Sequence, residues 1–166
     1  PQPRSTTPPQ HNTLERDLVS TSTAVPSAPT VEKARVAFVG AGPGDPGLLT
    51  VRAREYLAVA DVVVLDEPDD SGWLVGLVRD DVQIVEAGAI GATSRRSPAA
   101  RAKALVREAS ALKDSEALVV RVMPGDPAAF TSLSQEALAC RAADVRFEIV
   151  PGVSAAWSVP TYAGVP

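Results

Sequence analysis

The stretch Val-Ala-Phe-Val-Gly-Ala-Gly-Pro-Gly-Asp-Pro-Gly-Leu-Leu-Thr, residues 36–50, decides how the rest of the chain is read. Its first four residues, Val36 to Val39, form an apolar run fit for a buried strand. Gly40, Gly42, Gly44 and Gly47 then alternate with Pro43, Asp45 and Pro46. Glycine admits positive φ and close backbone approach, and the two prolines stiffen the turn. From Thr50 the pattern turns helical, with Val51, Leu57 and Ala58 expected on one face and Arg52, Arg54 and Glu55 polar. Strand, rigid loop and helix in that order put the loop at the carboxyl end of a strand, where open α/β sheets bind ligands.

The loop departs from the dinucleotide fingerprint G-x-G-x-x-G, because Asp45 stands at the third glycine and Pro43 and Pro46 oppose an immediate helix. An aspartate there would also repel a pyrophosphate. No Lys-Ser or Lys-Thr follows, so it is not a Walker loop. Four glycines and two prolines within eight residues are nonetheless more than a plain connection needs.

Outward from this loop the chain alternates between strand and helix. Strands are expected near 35–39, 62–65, 82–86, 117–122 and 146–150. Helices are expected near 50–59, 71–79, 98–112 and 132–143, with another starting near 154. Ser97-Pro98 reads as an N-cap with proline at the first helical position, and Ser132 with Gln135 as a capping box. Strands separated by helices imply an α/β fold with a mostly parallel sheet and flanking helices. Residues 1–34 are rich in Pro, Ser and Thr and read as a disordered tail; 35–151 read as one α/β domain. Residues 88–97 read as a mobile polar connection.

Composition narrows the function. Hydrophobic residues make up 45% and charged residues 22% of the 166 residues, an ordinary globular balance. The net charge is −4, and the first 33 residues carry three acids and three bases, so the acidic excess belongs to the folded part. That argues against a nucleic-acid surface. No apolar run approaches membrane length, and none near the N-terminus resembles a secretory signal. Cys140 is the single cysteine and His11 the single histidine, which excludes an internal disulfide framework and argues against a His/Cys metal site. A cytoplasmic setting follows as an expectation.

Four stretches in order resemble the tetrapyrrole methylases, and among them the uroporphyrinogen-III C-methyltransferases. They are Gly40-Ala-Gly-Pro-Gly-Asp-Pro-Gly-Leu-Leu-Thr50, Ala60-Asp-Val-Val-Val-Leu-Asp66, Val119-Val-Arg-Val-Met-Pro-Gly-Asp-Pro-Ala-Ala-Phe130, and Val150-Pro-Gly-Val-Ser-Ala-Ala156 followed by Tyr162-Ala-Gly-Val-Pro166. The resemblance spans residues 35–166 and implies S-adenosylmethionine as methyl donor. It implies donor contacts at Pro43, at Pro124, Gly125 and Asp126, at Ala129, and at Ser154 and Ala155. It also implies Asp66 as catalytic proton acceptor. The family fold continues into a second domain, of which 152–166 would be the start, so the chain reads as a fragment. A tetrapyrrole substrate and a full-length homodimer follow from the resemblance as well.

Three departures bear on substrate binding. Where the family carries a basic residue after the second-strand aspartate, this chain has Glu67. The third-strand stretch is Val85-Glu86-Ala87-Gly88, without the family's lysine; the only lysines are at 33, 103 and 113. After Phe130 come Thr131-Ser132-Leu133, and the family's arginine is gone. Uroporphyrinogen carries carboxylate arms, so its site should be basic; Arg95 and Arg96 are candidate replacements. Three functions stay open: methylation of uroporphyrinogen III toward sirohaem and cobalamin, methylation of a later corrin precursor, and a degenerate methylase domain fused to a uroporphyrinogen-III synthase. The third would keep donor binding and lose methyl transfer.

Overall fold

The computed structural model describes residues 33–66, 68–87, 97–129 and 131–165. The expectations for residues 1–32 of the tail, Glu67, the connection 88–96 with Arg95 and Arg96, and Phe130 lie outside the described residues; Ala34, expected in the tail, is instead buried in the core, its N–H donating to Ala109 O and Leu112 O at 3.2 Å. Five strands, β1 (Arg35–Gly40), β2 (Val62–Leu65), β3 (Gln83–Glu86), β4 (Leu118–Met123) and β5 (Phe147–Val150), form one sheet in the order β3-β2-β4-β1-β5. Every pairing is parallel, with Val36 opposite Val119 and Phe147, and Val62 opposite Val119 and Gln83. The central strands β2 and β4 are buried along their whole length and β1 is exposed only at Arg35. Burial on both faces is why they read as continuous apolar runs.

There are four α-helices among the described residues, α1 (Val51–Ala58), α2 (Pro98–Ala111), α3 (Leu133–Ala142) and α4 (Ala155–Tyr162), and the first three pack on the sheet while α4 buries no residue. Leu105 and Ala109 of α2 and Cys140 of α3 pack with Val36, Phe38, Val62, Val64 and Val119 on one face. Ala53, Tyr56 and Leu57 of α1, with Leu74, pack with Ala37, Val39, Val63 and Val120 on the other. Connections moving one way along the sheet thus cross one face and those moving the other way cross the opposite face. All four crossovers from β1 to β5 share one hand.

The structure corrects three local expectations. The buried stripe of α1 is Ala53, Tyr56 and Leu57, while Val51 is 76% exposed and Ala58 is exposed too. The segment expected as a helix over 71–79 is a 3-10 helix, Pro68–Leu74, followed by turns. Ser71 and Gly72 are poor α-helix formers. At α3 no capping box forms, because the Ser132 hydroxyl donates to the Glu136 carboxylate instead. The Thr131 hydroxyl oxygen accepts the Leu133 N–H at 3.2 Å. The expected cap at Ser97 forms, and Thr50 and Ser154 cap α1 and α4 in the same way, each accepting a first-turn N–H.

Edge strand β5 is tied to α1 by polar contacts. Arg52 donates to Glu148 Oε1 at 2.6 and 3.0 Å, and the Tyr56 hydroxyl donates to Glu148 Oε2. The hydrogen bond from Tyr56, then those from Arg52, hold the Glu148 carboxyl below its usual range. The bond to Glu148, then burial, raises Tyr56. A depressed carboxylate adds stability above its unfolded pKa and loses it as pH falls through the folded value. A raised tyrosine adds stability below its unfolded pKa and loses it as pH rises through the folded one. The cluster therefore works from mildly acidic to mildly alkaline pH. Glu148→Gln is expected to lower the melting temperature slightly at neutral pH and not at strongly acidic pH. The loss is small because the pair is largely solvated; thermal melts across pH check it.

Candidate functional site at the carboxyl edge of the sheet

Because all five strands run the same way, the loops after β1, β4 and β5 leave from one edge, and those strands are neighbours. The three loops meet in a backbone junction. Gly42 and Gly125 form an isolated antiparallel bridge, with N–H to O distances of 3.1 and 2.8 Å. Gly42 (φ +71) and Gly125 (φ +64) both hold left-handed backbone, which favours glycine. Gly40 and Gly152 pack so closely that a Cβ on Gly152 would lie 2.1 Å from the Gly125 carbonyl oxygen and 2.8 Å from Gly40 Cα. A Cβ on Gly40 would lie 2.6 Å from both neighbouring backbones.

The residues expected to contact the methyl donor sit on this junction. Pro43 follows the bridge residue Gly42 and is half-buried; Pro124 is exposed beside Gly125. A Cβ on Gly125 would come 3.6 Å from the Ala155 nitrogen and 3.9 Å from Ser154 Cα, which brings the fourth motif to the third. Asp126 faces inward. Its Oδ2 accepts the Gly152 N–H at 3.1 Å and its Oδ1 the Ala128 N–H at 2.8 Å, so this carboxylate clamps the β4 and β5 loops together. Ala129 closes the turn with its N–H to Asp126 O at 3.0 Å. Asp45 likewise serves its own loop, accepting the Gly47 N–H at 2.8 Å.

Asp66 lies one strand over, at the end of β2, beside a cavity of about 500 Å³. The cavity opens between the N-terminal ends of α2 and α3; Asp66, Arg101, Arg121, Met123, Pro124 and Ser132 are among its lining residues. Met123 and Pro124 precede Gly125 directly, so the cavity and the loop junction share the end of β4.

Sequence reasoning missed the side chains that surround Asp66. Arg121 points from the middle of β4 toward α3 and is 1% exposed, while Glu136 of α3 is 0% exposed. Arg121 Nε donates to Glu136 Oε2 at 2.8 Å and Nη2 to Asp66 Oδ1 at 2.8 Å. Its Nη1 donates to Val122 O at 2.8 Å and Val64 O at 3.5 Å. Arg101 Nε lies 2.9 Å from the same Asp66 oxygen, an ion-pair contact without hydrogen-bond alignment. Two arginines from other elements, Arg121 of β4 and Arg101 of α2, thus meet on the Asp66 carboxylate. A charged residue inside an otherwise apolar strand run was the available signal, since a buried charge requires a partner.

Cys140 offers no nucleophile. Burial, then the Glu136 carboxylate, pushes its thiol up to about 11. Among the described residues no cluster of His, Cys, Asp and Glu could hold a metal ion, and no helix is long and apolar enough to cross a membrane.

The family Tetrapyrrole (Corrin/Porphyrin) Methylases matches residues 35–166. "Siroheme synthase 1" of Pectobacterium atrosepticum is 38% identical over 138 residues, covering 83% of this chain and 28% of that protein. The "S-adenosyl-L-methionine-dependent uroporphyrinogen III methyltransferase" of Methanosarcina barkeri is 35% identical over 132 residues, covering 80% and 50%. The crystal structure of uroporphyrin-III C-methyl transferase from Thermus thermophilus complexed with S-adenyl homocysteine superimposes with a TM-score of 0.60 at 35% identity, covering 80% of this chain and 49% of that one. The chain therefore spans half or less of the length of these relatives.

Proposed function

The chain belongs to the tetrapyrrole methylase family, and from that premise we propose that its protein transfers a methyl group from S-adenosylmethionine to a ring carbon of uroporphyrinogen III. The observation that carries the reading is the convergence of four motifs, distant in sequence, on one edge of the sheet beside an arginine-lined cavity. The glycine junction fits the donor. It brings backbone groups close at Pro43, Pro124, Gly125, Ala129, Ser154 and Ala155 without a charged cradle, and little ordering remains when a ligand binds. The bound donor supplies an electrophilic methyl group. The chain's own residues hold the substrate at the cavity and receive the proton that the methylated pyrrole carbon releases. Asp66 is the acceptor in this reading, and its carboxylate is held at the cavity wall by Arg121 and Arg101.

The exposed face of α4, with Trp157 at 78% and Tyr162 at 69% exposure, fits burial against the second half of the family fold. A cytoplasmic homodimer is part of the same proposal. The tail then ends before Ala34, which is buried in the core of the first domain; that domain runs to 151, and 152–166 are the entry to the second.

A methyl-transfer assay on the full-length protein tests the reading. Methylated product is expected, and Asp66→Asn should lower kcat at least about a hundredfold while S-adenosylhomocysteine binds as before. Donor binding without product would instead support the degenerate domain fused to a uroporphyrinogen-III synthase, the alternative that Glu67, Ala87 and, after Phe130, Thr131 or Ser132 favour. Product from a later corrin precursor alone would support the sibling methylase.

A further inference from the structure

Arg121 and Arg101 meet the same Asp66 oxygen but differ in what they have left to offer. Arg121 commits Nε, Nη1 and Nη2 to Glu136, to Asp66 and to the carbonyls of Val64 and Val122. It is buried among them and has no edge to turn toward a ligand. Arg101 is different. Its Nε faces Asp66 Oδ1 at 2.9 Å, its side chain is 26% exposed, and it lines the cavity. Its two terminal Nη groups have no hydrogen-bond acceptor among the described residues. A guanidinium held at Nε, with its Nη edge uncommitted, presents the planar fork that takes a carboxylate through two parallel N–H bonds.

Resting on the proposed function, we infer that Arg101 is the specificity-determining residue of the cavity: its Nη edge receives one carboxylate arm of the tetrapyrrole while its Nε stays on Asp66. The arrangement links recognition to position. One guanidinium touches both the substrate arm and Asp66, so binding the arm fixes where the ring carbon lies relative to the proton acceptor. Asp66 orients the fork, and the Arg121–Glu136 pair keeps Asp66 from following Arg101 out of the cavity. Arg101 stands in the first turn of α2.

The methyl donor also carries a carboxylate, so the test measures two ligands on the full-length protein. Uroporphyrin III, the stable oxidised form of the substrate, and S-adenosylhomocysteine are titrated separately against wild type, Arg101→Gln and Arg101→Lys. The glutamine variant is expected to bind uroporphyrin III about ten- to a hundredfold more weakly. The lysine variant, which keeps the charge and loses the fork, should fall between. S-adenosylhomocysteine affinity should not change. Thermal melts establish that the variants are folded, and if the glutamine variant is not, the lysine variant carries the comparison. Uroporphyrin III binding that is absent in wild type or unchanged in both variants overturns the inference, as does a loss confined to S-adenosylhomocysteine. Arg101-dependent binding without methyl transfer would refute the catalytic reading and leave this inference standing. Methyl transfer with Arg101-independent binding would do the reverse.

Discussion

Gly152→Ala is expected to destabilise the domain by about 3 kcal/mol or more, at the upper end of what overpacking does. The new Cβ would stand 2.1 Å from the Gly125 carbonyl oxygen and 2.8 Å from Gly40 Cα. Both neighbours are backbone atoms fixed by strands β4 and β1, so no side-chain rotation relieves the contact. The loop after β5 must move away, which breaks the Gly152 N–H bond to Asp126 at 3.1 Å and separates the fourth motif from the third. Gly40→Ala meets the same junction from the other side, at 2.6 Å from Gly125 O and Gly152 Cα, and should cost a similar amount. The double variant should cost less than the sum, because one displacement relieves both clashes. Gly72→Ala, with nothing within 4 Å, is the control and should be near neutral. Denaturant unfolding of all four variants measures the series.

Arg121→Met is expected to destabilise by about 3–5 kcal/mol, because it leaves a buried carboxylate without its counter-charge. Glu136 is 0% exposed, and its remaining contact is the Ser132 hydroxyl. The pair itself is a different matter. Removing two charges from water is costly, and apolar replacements of similar volume often match or exceed a buried ion pair. The double variant Arg121→Met with Glu136→Leu should therefore recover most of the lost stability while releasing Asp66 from its 2.8 Å contact. A double variant as unstable as Arg121→Met alone would show that the pair holds the fold rather than the site. The same denaturant titration reads both outcomes.

The sheet was legible because its central strands are buried on both faces, so Val36 to Val39, Val62 to Leu65 and Leu118 to Met123 appear as apolar runs bounded by turns. The loops at 40–47, 124–127 and 151–154 were legible because glycine and proline mark backbone geometry directly. The contacts inside the site were less so. Arg121, Glu136, Arg101 and Asp66 come from β4, α3, α2 and the end of β2, and only the strand order β2-β4 brings them together. Asp126 has the residue type expected for a ligand contact, yet its two oxygens serve Ala128 and Gly152. A strand-end position alone does not say whether a carboxylate faces a ligand or its own backbone. Ser132 and Gln135 had capping-box spacing, and the competing acceptor was Glu136, one turn on. The helix expected over 71–79 is instead a 3-10 helix, Pro68–Leu74, followed by turns, so a short weak pattern there did not distinguish the two helix types.

The glycine junction as methyl-donor seat is the central claim, and a calorimetric titration of the full-length protein with S-adenosylhomocysteine tests it most directly. Saturable binding at one site per chain in the wild type, lost in a folded Gly152→Ala protein and retained in Arg101→Gln, is the predicted result. Binding that survives Gly152→Ala unchanged, or a wild type that binds no S-adenosylhomocysteine, would contradict it.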